Sequence, residues 1–396
     1  MTDGTLWLVT PSGQRADGRW IDDVLVERAY EAGLDWRYAA AGDFPREKVE
    51  VVRDLTPEAL ETLYYRRGWT DGLPVRLPTV ARVRSMLRRT RLSGDVLLGE
   101  AEPLFGEASL EKLAANAVMA GCEPVHFPFV VAAMSAILDP AFNLRGVQTT
   151  DENVAPLIVV SGPGLEAVDI FGGVGALGPG WRGNMVIGRA VRLAMQNIGG
   201  GWPGATGLAG LGQPGRLWLV LAENEDASPW EPLRTRLGYG ADETVVSVLR
   251  AEAAVTATGR IDDLGDVMRS ALSAFSRLHG GYAAVAIAPY VAKELAADGW
   301  SEADVRQRLW ELSHADPDAY KRSWVVDDLR PRTGLADWAE VALAAGKGPP
   351  AVESPDHLIL MVSGADAAIP QHAYFPTWGF PEAKIVRTVK RIDLRQ

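Results

Sequence analysis

Apolar and polar residues follow two different rhythms along this chain. Up to about residue 150 the apolar positions recur at helical spacing. "TPEALETLYYRRG" places Thr56 as N-cap, Pro57 at the first helical position and Gly68 past the end, which predicts a helix with both termini marked. "TVARVRSMLRRT" reads as a basic amphipathic helix with a solvated face. "SLEKLAANAVMAG" reads as a helix capped by Ser109 and ended by Gly121. "FPFVVAAMSAIL" is apolar nearly all round, the mark of a buried helix. Between the first two, "WTDGLPVRLPT" is an extended link with a turn at Asp71-Gly72. Ahead of them all, "GTLWLVT" and "VEVVRDL" flank "DDVLVERAYEAG" in a small, partly strand-like lead-in.

From residue 156 short apolar runs alternate with helical patterns. "PLIVVSGPG", "RLWLVLAENE", "ETVVSVLRAEA", "GYAAVAIAP" and "DHLILMVSG" are strand candidates, the first closing on glycine as a buried strand entering a loop does. "MVIGRAVRLAMQNIGGG", "DDLGDVMRSALSAFSRLHGG" and "SEADVRQRLWEL" read as helices among them. Alternation of this kind predicts an α/β fold, a mixed or parallel sheet flanked by helices behind the N-terminal lead-in. Three segments follow: a lead-in over 1–65, a glycine-rich α/β core over 66–255, and a C-terminal α/β segment over 256–396.

Composition narrows the function classes. The chain has 396 residues, 47% of them hydrophobic, enough for a sizeable core. A net charge of −11 argues against nucleic acid and against an anionic membrane surface as partners. No apolar run reaches the length of a membrane span, and "MTDGTLWLVTPSGQRADGRW" lacks the pattern of a signal peptide. With a single cysteine, Cys122, an intrachain disulfide is excluded, and a reducing, cytoplasmic setting is expected.

Seventeen of the 41 glycines fall within residues 162–215. "GVGALG", residues 173–178, matches the dinucleotide fingerprint by letter, but "EAVDIF" before it and "GPGW" after it deny the strand and helix that fingerprint needs. "GPGWRGN" ahead of a helix is more telling. Free N–H groups at a helix start, with a guanidinium beside them, suit a carboxylate, phosphate or sulfate. Gly180, Trp181, Arg182, Gly183 and Asn184 are thus the candidate substrate-binding set. The plainer alternative pairs Arg182 with a nearby Asp or Glu and leaves Trp181 in the core. Arg189 and Arg192, further along that helix, read as surface charges.

Two further groups carry candidate chemistry. In "AGCEPVHFP", Cys122 and His126 stand four residues apart ahead of a helix, where a thiol can be activated; against this, free cysteine is usually buried and inert. "LAENEDASPWEPL" follows a strand candidate and gathers Glu223, Glu225 and Asp226 where open α/β sheets bind ligands. Those carboxylates suit general acid and base roles, or a hard cation, unless they are simply a solvated acidic loop. The five histidines never fall at metal-ligand spacing, His372 reads as a satisfied loop residue, and no G-x-S-x-G elbow is present. The sequence therefore calls for no metal and no cofactor.

"RGWTDGLPV", "NAVMAGCEPVHFPFVVAA", "DPAFNLRGVQTT", "GPGWRGN", "AENEDASPWEPL" and "AADGWSEADVRQRLWE" together resemble the UGSC family (seleno)proteins, over roughly residues 60–320. The resemblance implies selenol or thiol chemistry, carried by a selenocysteine-or-cysteine, glycine, serine, cysteine motif. This chain has no Cys-Gly-Ser-Cys, and its first 55 residues do not resemble the segment that would carry it. It also has Asp151 where relatives show a histidine, and Tyr290-Val291 where they show Glu-His.

Three functions stand open at this point. The first is an enzyme acting on a small anionic metabolite by non-redox acid/base chemistry: ring closure, elimination or hydrolysis, in a setting such as specialised-metabolite biosynthesis. The second is a thiol-dependent enzyme using Cys122. The third is a non-catalytic subunit of an enzyme complex, with a homo-oligomer or a partner enzyme subunit as its company.

Overall fold

The computed structural model describes residues 5–34, 48–52, 56–379 and 386–388. They fall into two compact units: residues up to Asn153 with Arg182–Leu219, and Val154–Trp181 with the chain from Val220 onward. The glycine-rich 66–255 segment contributes to both.

The first unit is mainly helical. Its strands are β1 (Leu6–Val9), β2 (Val49–Val52), β3 (Leu97–Ala101) and β4 (Gly106–Ser109), paired antiparallel as β1–β2 and β3–β4. Its helices are α1 (Ile21–Glu31), α2 (Pro57–Arg66), α3 (Val80–Leu87), α4 (Leu110–Ala120), α5 (Phe127–Ile137), α6 (Leu144–Thr149) and α7 (Arg182–Asn197). The start signals act as their chemistry predicts. Thr56 accepts the Ala59 N–H, Ser109 accepts the Lys112 N–H, and Gly121 closes α4 in the left-handed conformation at φ +95°. α4 is buried on almost every side against α7, so its two buried polar side chains are tied to backbone. Lys112 Nζ donates to Thr10 O at 2.6 Å, and Asn116 Nδ2 donates to Pro11 O at 3.1 Å.

The second unit holds two four-stranded mixed sheets. One runs in the order β12 (Val386–Thr388), β7 (Val245–Ala251), β5 (Ala155–Ser161), β6 (Val220–Ala222); β5 and β6 are parallel, the other pairs antiparallel. The other runs β10 (Leu358–Val362), β9 (Ala283–Ile287), β11 (Gln371–Phe375), β8 (Val255–Thr258); β10 and β9 are parallel, and β11 is antiparallel to both its neighbours. The helices are α8 (Leu233–Arg236), α9 (Ile261–Ser270), α10 (Phe275–His279), α11 (Pro289–Ala297), α12 (Glu302–Leu312), α13 (Pro317–Lys321), α14 (Arg330–Thr333) and α15 (Asp337–Ala344). Leu264 and Met268 of α9 and Val305 and Leu309 of α12 close the core over β9 and β10. The fold is α/β with mixed sheets, as the alternation predicts.

One helix differs from expectation. The pattern over "DDLGDVMRSALSAFSRLHGG" predicts a single helix, yet the chain breaks it at Ala271–Ala274 into α9 and α10. The freed carbonyls find a donor downstream: Arg277 of α10 reaches back with Nη2 to Met268 O and with Nε to Ala271 O. His372 lies on β11 rather than in a loop. Its Nδ1 accepts the Ala288 N–H at 3.1 Å and its Nε2 meets Gly259 O at 2.8 Å, so the ring is a buried, fully used bridge.

Candidate functional site

Within the second unit, β5 and β6 run side by side with Val160 opposite Ala222, so their carboxyl ends emerge together. Ser161-Gly162-Pro163-Gly164 leaves one strand and Glu223–Asp226 leaves the other. A cavity of about 390 Å³ opens there, between the 162–166 turn, the 170–173 segment and the 223–226 loop, with Arg234 on its wall. Open α/β sheets bind ligands at such a place, outside the carboxyl ends of their strands.

Glycine is needed in two of these walls. Gly162 sits at φ +148°, and a Cβ there would stand 2.6 Å from the Thr244 Cα. At Gly172 a Cβ would stand 2.7 Å from Ala222 O and 2.8 Å from the Glu223 backbone. The end of β10 clamps the same wall: Ser363 Oγ donates to Ala222 O at 2.9 Å and to Gly172 O at 3.1 Å, and the Gly364 N–H donates to Gly172 O at 2.7 Å.

Glu223, the first residue after β6, is 5% exposed yet lines this cavity. The Leu233 N–H donates to both its oxygens at 3.0 Å, and the Ser161 hydroxyl donates to Oε2. Burial raises its carboxyl to about 7, against the opposing pull of the Ser161 and Leu233 donors and the Arg236 charge; Glu225 adds a small rise. At neutral pH this group is poised between acid and base.

Its neighbours are held differently. Arg234 forks onto the Glu225 carboxylate through Nε and Nη2, each at 2.9 Å, and its Nη1 donates to Gly240 O at 2.6 Å. Glu225 is thus a structural anchor on the rim. Asp226 is exposed on the cavity wall, and among the described residues its side chain makes no hydrogen bond or ion pair. The structure therefore brings Glu223, Glu225 and Asp226 together, in three separate conditions: buried, paired and free.

The expected anion-binding set is divided between the units. Gly180 and Trp181 belong to the second, where the Trp181 ring lies 4.1 Å from that of Phe171 and its Nε1 donates to Val174 O. Arg182, Gly183 and Asn184 open α7 in the first. Arg182 forms an ion pair with Glu123, both side chains about half exposed. The charge of Arg182 is met by a carboxylate of the protein itself, as the plainer alternative expects, while Trp181 is half-buried and not part of the core.

The surroundings of Cys122 differ from those the thiol reading expects. Cys122 does not start a helix; with Gly121 in the left-handed conformation, its N–H donates to Ala117 O and completes the C-terminal cap of α4. It is buried, and its Sγ donates to Val186 O at 3.3 Å. Burial pushes the thiol well above its ordinary range, opposed only in part by the Arg189 and Arg76 charges. His126 Nδ1 accepts the Glu123 N–H at 3.0 Å, so that nitrogen is not free to serve as its base. Iodoacetamide should label Cys122 only slowly between pH 7 and 9 and rapidly once the fold is opened by denaturant; fast labelling of the folded protein near neutral pH would show an activated thiolate instead.

Sequence reasoning missed Ser161 and Arg234. The signal for Ser161 was its place as the last residue of an apolar run that closes on Gly-Pro-Gly. For Arg234 it was the nine-residue spacing from Glu225 across a proline-bearing corner.

No family model matches the chain, and no solved structure matches it. Over 92 residues it is 34% identical to an L-cysteine:1D-myo-inositol 2-amino-2-deoxy-alpha-D-glucopyranoside ligase of Streptomyces coelicolor, which covers 22% of this chain and 21% of that protein. The chain thus spans about a fifth of that ligase's length. Among the described residues no helix is long and apolar enough to cross a membrane.

Proposed function

We propose that this protein is a small-molecule enzyme working by non-redox acid/base chemistry, with Glu223 as the group that moves the proton. One observation carries the reading: a buried carboxyl, raised to about 7, faces a cavity at the carboxyl ends of two parallel strands. Such a group can take a proton from a hydroxyl, an ammonium or an acidic C–H and return it to a leaving group, as ring closure, elimination or hydrolysis requires. Ser161 and the Leu233 N–H fix the carboxyl's orientation. Asp226 is the free carboxylate at the mouth.

The charges of the cavity refine the substrate class. Glu166, Glu225 and Asp226 line it beside a single guanidinium, Arg234, which is already spent on Glu225. The group presented to Glu223 is therefore neutral or cationic, and any anionic part of the substrate is met elsewhere. The likeness to the UGSC (seleno)proteins belongs to the same proposal, as a shared scaffold without the redox motif. Profiling a bacterial metabolite extract before and after incubation tests the reading. Wild type should deplete at least one polar metabolite that Glu223→Gln leaves untouched; equal depletion by both would remove Glu223 from the chemistry.

A further inference from the structure

The first unit carries a second group of charges, none of which lines the Glu223 cavity. On α7, Arg189 is committed: Nε and Nη2 grip the Asp71 carboxylate at 2.7 and 2.8 Å. Arg192, on the same helix, is not. Among the described residues its guanidinium makes one hydrogen bond, from Nη2 to Gly201 O at 2.7 Å. Arg216 closes the short turn Pro214–Arg216, and among the described residues its guanidinium makes no hydrogen bond or ion pair. Packing sets the two side by side. α7 lies against the following chain at Gly188, where a Cβ would stand 3.0 Å from the Trp218 Cα and 3.1 Å from the Leu219 nitrogen. Arg192 is one helical turn beyond Gly188, and Arg216 is two residues before Trp218.

Both arginines are partly buried. Burial, and after it the charge of Arg216, weakens Arg192's hold on its proton; burial does the same at Arg216. Asp71 is the carboxylate whose field reaches Arg192, and it is already shared with Arg189. Withdrawing two like charges from water opposes folding, and among the described residues only the shared Asp71 offsets them, so the arrangement suits a partner that is not part of the chain. The glycine triplet 199–201 fits this account. A Cβ at Gly201 would overlap the Gln148 amide, so only glycine lets the 201 carbonyl reach Arg192 and aim it.

We propose that Arg192 and Arg216 form a binding site for a small oxyanion, the phosphate or carboxylate group of a metabolite. Two neighbouring guanidinium groups with donors to spare suit the oxygens of either group. The site is independent of Glu223 and stands whether or not that carboxyl proves to be the acid/base group.

Calorimetric titration and thermal melting of the full chain test it, with inorganic phosphate and with malonate as probes and sodium chloride matching the ionic strength. One anion should bind per chain and raise the melting temperature above the chloride control; the better of the two probes names the head group. Arg216→Gln should melt higher than wild type without ligand, because the repulsion is relieved, and should bind the anion about tenfold more weakly or worse. Arg216→Glu, which sets a carboxylate beside Arg192, should melt higher still without ligand and lose the response. The proposal falls if neither anion acts beyond chloride, or if Arg216→Gln binds as tightly as wild type. It falls equally if both variants melt below wild type without ligand, since the pair would then be structural.

Discussion

Glu223→Gln is expected to resist denaturant better than wild type at pH 8 and about equally at pH 4. The direction follows from where the proton sits. In the unfolded chain this carboxyl titrates at its ordinary value, about 4.3, whereas burial holds it near 7 in the fold. Between those values the folded protein keeps a proton that the unfolded chain releases. The stability it contributes is therefore complete below the unfolded value and is lost as pH rises through 7. Each pH unit of difference corresponds to about 1.4 kcal/mol, so the loss in wild type amounts to ~3–4 kcal/mol by pH 8. Glutamine, which keeps the shape and an acceptor for the Leu233 N–H, has no proton to lose. The same substitution should lower turnover of the metabolite that profiling identifies by about 10²–10⁴-fold, the usual worth of a positioned acid or base. A stability gain at pH 8 alongside that loss separates a chemical role from a packing role, since a packing residue would lose both.

Arg277→Ala is expected to cause the largest stability loss of any single change in the second unit. Arg277 is fully buried and spends all its donors on carbonyls: Nε on Ala271, Nη1 on Ser313 and Pro349, Nη2 on Met268 and Ser313. It thereby joins the end of α9, the end of α12 and the chain before β10. Alanine would strip the Ser313 carbonyl of its donors and leave the Met268, Ala271 and Pro349 carbonyls with one backbone N–H each, at a cost of about 3–5 kcal/mol. Arg277→Lys should not recover most of it, because one ammonium cannot spread over four carbonyls in the plane of a fork. Urea denaturation reads both variants; a lysine variant within about 1 kcal/mol of wild type would show that the charge alone matters, not the fork.

Much of this architecture was legible in the residues. β5, β7, β9 and β10 are buried on both faces, so they appear as unbroken apolar runs, and α2 and α4 carry their caps in plain letters. β8 and β11 were not legible, being four and five residues long with polar positions among the apolar ones. The acidic loop was placed correctly because a carboxylate following an apolar run lies at the end of a strand whatever that strand pairs with. Ser161 was hidden because its role depends on β5 lying parallel to β6, a pairing that spans 62 residues. The partner of Arg182 was hidden for a related reason: the residues around it in sequence are glycines, tryptophan and asparagine, and the carboxylate that meets it is 59 residues away. Cys122 precedes one helix in sequence but caps another in space, because Gly121 ends α4 just before it. Arg192 looked like a surface charge on an amphipathic helix, and only the fold shows that it is partly buried and tied to the Gly201 carbonyl.

The measurement that bears most directly on this account is the titration of the Glu223 carboxyl itself, by carbon NMR of glutamate-labelled protein. The resonance is assigned by its loss in Glu223→Gln. A midpoint near 7 is the result the account predicts. A midpoint in the ordinary glutamate range near 4.3 would mean that Glu223 is fully ionised at neutral pH, and the proton-transfer role given to it would be contradicted.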